Sequence, residues 1–344
     1  MTALVSPNGT PAPATGREPR LSITVLNYNY GHFLEQCLNS ILSQSYTDFE
    51  VIVIDDCSKD NSISVVEPFF EDRRVRLIAH SQNAGFVRSL IEGAEASSSP
   101  YLTVVSADDF VLTSTAFEKQ MAVLEDSPRA GFCYSSWTEM DRQNTPVGEV
   151  VPFPEDHVWA GEQEFKQLCM SFYVMHTGTI IRRTAYNAVG GYDASFPYSI
   201  DGAMWAALCG AGDVAYLAEP LYGYRIHGAN MSRSQEAAQA ITVEMIRRLE
   251  LGFESLPDGP VKSDRRLRRR ALQIALATAA TSHVFDGRPI DGWKALAYAA
   301  RLRPRETLFQ RRVISLAART MLGARGFGWL RSRTGGPVPW YKAG

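Results

Sequence analysis

The chain has 344 residues, of which 45% are hydrophobic and 21% charged, values ordinary for a folded globular protein. At this length one large core with an appended region, or two domains, is expected, and the longest apolar run, ALQIALATAA (271–280), is too short for the roughly 18 residues of a membrane span. The net charge of -2 hides an asymmetry: 18 Lys and Arg stand against 4 Asp and Glu from Val261 onward, and 17 against 33 before it, which places a boundary near LPDGP (256–260).

The opening MTALVSPNGTPAPATGREPR lacks the basic start and continuous apolar core of a signal peptide and reads as a disordered tail over 1–19. LSITVLNYNY (21–30) begins as a strand and ends in an Asn-rich loop; HFLEQCLNSILSQ (32–44) then carries apolar residues at helical spacing. FEVIVIDD (49–56) is too continuously apolar for a surface strand and predicts a parallel strand covered on both faces. SKDNSISVVEPFF (58–70) predicts a helix, RVRLIAH (74–80) a strand, FVRSLIEGAEAS (86–97) a helix and YLTVVSADD (101–109) a fourth strand. This alternation predicts a doubly wound α/β sheet.

Ligands of such sheets sit beyond the carboxyl ends of the strands, and the polar clusters fall there. They are Asn27-Tyr28-Asn29, Asp55-Asp56, Asn83 to Gly85 and Asp108-Asp109. Two acidic pairs in one crevice would repel a phosphate unless a cation intervened, so a hard divalent ion with oxygen ligands, Mg2+ or Mn2+, is implied. The first turn, NYNYGHF, lacks the GxGxxG of a dehydrogenase; a P-loop is absent, and so is the Gly-rich basic loop of a nucleotidyltransferase.

The ordered motifs LSITVLNYNYGHFLEQCLNSILSQSYTDFEVIVIDDCSKDNS, NAGFVRSLIEGAEAS and VVSADDF resemble the nucleotide-binding half of the inverting family 2 glycosyltransferases of the GT-A fold. The likeness continues through TGTIIRRTAYNAVGGYDASFPYSIDGAMWAAL (177–208) and LYGYRIHGANMS (221–232). It implies a GT-A catalytic domain over 20–235, with a nucleotide-binding half (20–110) and an acceptor half (111–235), a mostly parallel mixed sheet, and a basic helical C-terminal region over 236–344. It also implies roles. Tyr28 would lie against the nucleobase with the backbone of Leu26 nearby, Asp56 would accept a hydrogen bond from the base, and Arg88 would sit near the nucleotide. Asp108 would hold the ribose, Asp109 would ligate the metal, Asp201 would be the catalytic base, and His227 would be a further metal ligand.

Elementary chemistry suits these roles. Expelling a nucleoside diphosphate builds negative charge that a bound metal stabilises, and one carboxylate suffices to deprotonate an attacking hydroxyl. A single base and direct attack give inversion at the anomeric carbon. Other readings of the same residues stand beside these: Asp201 also suits a helix N-cap, Asp56 a turn, and His227 a loop histidine bonded to a carbonyl. Trp205 reads as core packing or an acceptor platform, and His176 as an interior histidine. Arg182 and Arg183 match a basic pair in the family without an assigned role.

Ser106 stands where many relatives carry an acid, and Ile200 where they often have Glu. The QxxRW signature of processive synthases is missing after Tyr224, so one sugar per encounter is expected. The expected donor is a UDP- or dTDP-sugar and the acceptor a saccharide or lipid-linked hydroxyl. The alternatives are a sugar-phosphate nucleotidyltransferase and an inactive nucleotide-sugar binding module. Cys37, Cys57, Cys133, Cys169 and Cys209 are scattered, with no CxxC pair, which fits reduced thiols in a cytoplasmic protein. KSDRRLRRR (262–270) and RLRPRETLFQRRVISLAARTMLGARGFGWLRSR (301–333) read as a basic face that packs on the acidic body, closes a homodimer or docks peripherally on anionic lipid. No aromatic-interleaved motif supports nucleic acid as a partner.

Overall fold

A computed structural model of the chain describes residues 4–5, 18–227, 235–285, 293–297 and 301; for 4–5, 235–242 and 281–285 only the backbone is described. The strands are β1 (Leu4–Val5), β2 (Leu21–Asn27), β3 (Phe49–Asp55), β4 (Val75–Ala79), β5 (Tyr101–Ser106), β6 (Phe110–Val111), β7 (Ala130–Met140), β8 (Pro146–Val150), β9 (His157–Trp159), β10 (Ile180–Arg182) and β11 (Asp213–Arg225). The helices are α1 (Gly31–Leu42), α2 (Ser62–Val66), α3 (Phe86–Glu95), α4 (Ala116–Asp126), α5 (Gly161–Leu168), α6 (Arg183–Ala188), α7 (Ile200–Leu208), α8 (Gln235–Ser255) and α9 (Arg265–Phe285).

One mixed sheet runs β1-β4-β3-β2-β5-β10-β7-β11-β6, with β8 on β7 and β9 on β11. β4, β3, β2 and β5 are mutually parallel, as expected from their apolar runs. Leu21, Ile23, Val25 and Val51 to Ile54 have no exposed surface, because helices cover both faces. β10 enters antiparallel to β5 and β7, while β7 and β11 are parallel. The strand order reverses at β2, with β3 and β4 to one side and β5 to the other. That reversal opens a crevice beyond Asn27.

α1 buries Phe33, Leu34, Cys37, Leu38 and Ile41, the stripe that its helical spacing predicts. α3 lies close on the sheet at Gly93, where a Cβ would fall 2.3 Å from Thr24 Cγ2. The single helix expected over 58–70 is instead two pieces, α2 and a 3-10 turn at Glu67–Glu71. Asp60 Oδ1 accepts from the Ser62 amide at 3.0 Å and fixes the start, and Pro68 has no N–H with which to extend an α-helical ladder.

The chain divides into two compact units. The first comprises 1–161, 174–204 and 211–227 and carries the whole sheet. The second comprises 162–173, 205–210 and 228–344 and carries the C-terminal helices. Within it Phe165 meets Phe253 edge-on at 4.9 Å, and the Arg268 guanidinium lies 4.7 Å over the Phe253 ring. Trp205, read from sequence as core or acceptor platform, is fully buried in this second unit and therefore belongs to its core. Among the described residues no helix is long and apolar enough to cross a membrane. Most of the expected N-terminal tail, and the basic segment 302–333, lie outside the described residues.

Candidate active site

The parallel register sets Asn27 beside Asp55 and Leu26 beside Ser106, so the polar ends of β2, β3 and β5 share one edge. The loops after β2 and β3 are sewn together. Asn27 Nδ2 donates to Asp55 Oδ1 at 2.7 Å and to Ser58 Oγ at 3.1 Å, and Asp55 Oδ2 accepts from the Ser58 amide at 3.0 Å. The Asn29 amide donates to Ser58 Oγ at 2.9 Å, the Lys59 amide to Asn29 Oδ1 at 2.7 Å and the Gly31 amide to Asp60 Oδ2 at 2.9 Å. Asn29 and Cys57 take left-handed backbone, with φ of 60° and 63°. Asn tolerates that region, while Cys57 is held there by the bonds on either side of it.

Asp56, expected to meet the base, is buried and accepts from the Ala84 and Gly85 amides at 2.6 and 2.8 Å. Its Oδ1 also lies 2.8 Å from His80 Nδ1. Tyr28, expected against the nucleobase, is 44% exposed at the edge. The Leu26 carbonyl accepts from the Ala107 amide at 3.0 Å, which ties β2 to the second acidic loop. Arg88, expected near the nucleotide, points into solvent with Glu92 at 3.8 Å.

The second acidic pair is enclosed differently. The resemblance puts the metal on Asp109 and the ribose on Asp108. In the structure Asp109 is 2% exposed, and both its oxygens are engaged: Oδ2 accepts from Thr177 Oγ1 at 2.6 Å and Oδ1 from the Arg225 amide at 3.0 Å. Burial, then the charge of Asp108, push its carboxyl well above the ordinary range. Asp108 is the member beside His227, with Oδ2 at 2.9 Å from Nε2. Burial raises the Tyr30 phenol and the Cys37 thiol, and the charges of this pair add to both effects.

Arg225 closes this loop and was missed in the sequence. It is fully buried at the end of β11, inside the YRIHG stretch that drew attention only to His227. Its guanidinium donates to the Asp108 carbonyl, to Gln36 Oε1 at 2.5 Å and to Asn144 Oδ1 at 2.8 and 3.0 Å. It also lies 4.3 Å over Phe33 and 4.8 Å over Phe110. Thr177, the other partner of Asp109, precedes Gly178, where φ is 78° and a Cβ would fall 2.2 Å from the Tyr222 ring. Only glycine fits both constraints, and it lets the Thr177 hydroxyl reach the acid.

Asp201 sits in the first turn of α7, where its own Oδ1 accepts from the Gly202 amide at 2.7 Å. Its charge acts on His176 and Tyr192, which meet through Nε2 and the phenol oxygen at 3.1 Å. His176 precedes Thr177, so the segment 176–178 joins the surroundings of Asp201 to those of Asp109. Burial holds the His176 imidazole below its ordinary value, against the pull of Asp201. Arg182 and Arg183 are framework residues: Arg182 donates to the carbonyls of Leu124, Ser127 and Ala130, and Arg183 to those of Ala94 and Ser99. An open cavity of about 630 Å³ near Arg20, Tyr46 and Asp48 lies at the starting ends of the strands and shares no residue with the acidic edge.

Among the described residues no three His, Cys, Asp or Glu side chains form a ready metal cage. Mg2+ and Mn2+ sites that complete their shell with substrate phosphates and water use only one or two carboxylates, a donor set that Asp108 fits, with His227 Nε2 beside it.

A family model described as glycosyl transferase family 2 matches residues 22–190. An uncharacterized glycosyltransferase of Haemophilus influenzae is 28% identical over 245 residues, covering 68% of this chain and 74% of that protein. Glycosyltransferase GlyG of Streptococcus pneumoniae is 24% identical over 230 residues, covering 62% and 73%. Among solved structures, S. aureus TarS 1–349 in complex with UDP-GlcNAc superposes with a TM-score of 0.56 at 15% identity, covering 82% of this chain and 91% of that one. The chain is thus a glycosyltransferase with the GT-A fold, and its residues 22–190 match glycosyl transferase family 2.

Proposed function

We propose that the enzyme moves a single sugar, with inversion, from a UDP- or dTDP-sugar to a hydroxyl of a saccharide or lipid-linked acceptor, with Mn2+ or Mg2+ bound. The observation that carries this reading is the meeting of Asp108 with His227 at the switch-point edge, two steps along the chain from Arg225. The likeness to TarS in complex with UDP-GlcNAc supports a nucleotide-sugar donor.

In this reading Asp108 and His227 hold the cation, and Asp109, bonded by Thr177 Oγ1 and the Arg225 amide, shapes the loop beneath them. When bound, the cation supplies charge stabilisation to the departing diphosphate. Tyr28, exposed at the edge, offers its ring to the base, and the edge containing Asn27, Asp55 and Asp56 forms the floor of the base site. Asp201 takes the proton of the acceptor hydroxyl as that oxygen attacks the anomeric carbon. Direct displacement with one base inverts the centre.

The test is turnover of the full chain with a panel of UDP- and dTDP-sugars and Mn2+, with acceptor sugars added. Asp201→Asn is expected to lower kcat by about 10²- to 10⁴-fold while nucleotide binding persists. Unchanged turnover in that variant, release of pyrophosphate, or retained configuration in the product would sink the reading. The exposed Arg265, Arg266, Arg269 and Arg270 at the start of α9 support docking on anionic lipid near a lipid-linked acceptor. Equal sedimentation with neutral and anionic liposomes would remove that part.

A further inference from the structure

Asp56 is fixed by more than its own loop. His80, just past the end of β4, sets one ring nitrogen 2.8 Å from Asp56 Oδ1 and the other 3.1 Å from Glu92 Oε2 on α3. Its side chain is 11% exposed. Each ring nitrogen thus faces a carboxylate oxygen within hydrogen-bond reach. Glu92 in turn faces Arg88 at 3.8 Å, which gives an alternating row of acid, imidazole, acid and guanidinium. The Ala84 and Gly85 amides close on the same carboxylate from the turn that starts α3, at Gly85 with φ of 86°. His80 therefore ties three pieces together: the loop after β3, through Asp56 the turn 82–85, and the second half of α3. Its side-chain contacts lie outside β4, which ends at Ala79, while its amide donates to the Asp55 carbonyl at 2.9 Å.

We infer that His80 is a positioning residue for donor selection: by tying Asp56 to Glu92 it sets the carboxylate and the 82–85 turn in the one arrangement that discriminates the nucleobase. The inference rests on the reading above, in which Asp56 lies at the base site. A carboxylate with three partners has one lone-pair direction left for a ligand. Release of the imidazole lets the carboxylate swing about its remaining amide bonds. Base discrimination is then lost before phosphate binding, because the diphosphate is held elsewhere, at the second acidic loop.

The experiment uses the full chain with Mn2+ and measures binding of UDP, dTDP, GDP and inorganic pyrophosphate by calorimetry. The variants are His80→Gln, Glu92→Gln and Asp56→Asn, each checked for native circular dichroism. His80→Gln is expected to narrow the ratio between the preferred nucleotide and the others by about tenfold, the scale of one charge-assisted hydrogen bond, with pyrophosphate affinity unchanged. Glu92→Gln, which keeps a hydrogen-bonding partner for the ring, is expected to narrow it less. Uniform weakening of all four ligands in His80→Gln would mean a structural role only and overturn the inference, as would an unchanged ratio in a variant with native dichroism. An unchanged ratio in Asp56→Asn, or no nucleotide preference in the parent chain, would overturn the base-site reading and the inference with it. A narrowed ratio in Asp56→Asn with none in His80→Gln would overturn the role of His80 alone.

Discussion

Asp55 and Asp56 meet their partners at short range, 28 and 29 residues away in Asn27 and Gly85, whereas Asp108 and Asp109 are held by residues 68 to 119 positions distant. The first loop is thus completed inside the parallel half of the sheet. The second is completed only when β11 has docked and brought Arg225 and His227 to it. Burial of a carboxylate costs several kcal/mol unless hydrogen bonds compensate, and the two loops meet that demand from different distances. The local loop ties the ends of β2 and β3 together, while the distant one buries both acids, one beside His227 and the other between Thr177 and Arg225.

Substitutions can break this contrast. The largest effect is expected at Asp108: Asp108→Asn should reduce metal-dependent turnover by about 10³-fold or more, while urea denaturation shows a folded chain. Asp109→Asn should be far milder in turnover, because an amide can still accept from the Arg225 N–H. Equal loss in both variants would erase the distinction between the acid beside His227 and the acid held by Thr177 and Arg225. Arg225→Met comes next, with an expected stability loss of about 3 kcal/mol, read from the urea midpoint, since it strands the Asp108 carbonyl and the Gln36 and Asn144 amides. Asp55→Ala should cost about 2 kcal/mol by the same measurement, through the Asn27 side chain and Ser58 amide left without it.

The smallest effect sharpens the comparison on the acceptor side. The His176 imidazole is held below its ordinary value of 6.5 by burial. Between the lowered folded value and 6.5 the unfolded chain binds the proton and the folded chain does not. Stability should therefore decline as pH falls from 6.5 toward that folded value. Thermal midpoints of His176→Phe should show a shallower decline than those of the parent over the same range.

The local loop was largely readable in the sequence. Continuous apolar runs ending in Asn or Asp fixed β2, β3 and β5 and their edge, and helical spacing fixed α1 and α3. The helix over 58–70 was misjudged because Asp60 and Pro68 act at single positions that a periodicity average hides. The distant loop was legible only in part. The acids, His227 and Asp201 carry motifs, but Thr177 lay unremarked within a motif and Arg225 within the last strand. A buried arginine has no local signature: its cover of Phe33 and Phe110 comes from elements far away in the chain. His80 was hidden for a similar reason, since its two partners lie in different loops.

Arg225 and His227 both fall beyond residue 190, where the family match ends. A fragment cut at that limit would contain every acid of the two loops and neither of the residues that close the second. On the ribosome the same order holds: Asp109 emerges 116 residues ahead of Arg225, so the nascent chain carries an unclosed anionic loop through about a third of its synthesis. Maturation of this acidic edge is consequently gated by the arrival of a single strand.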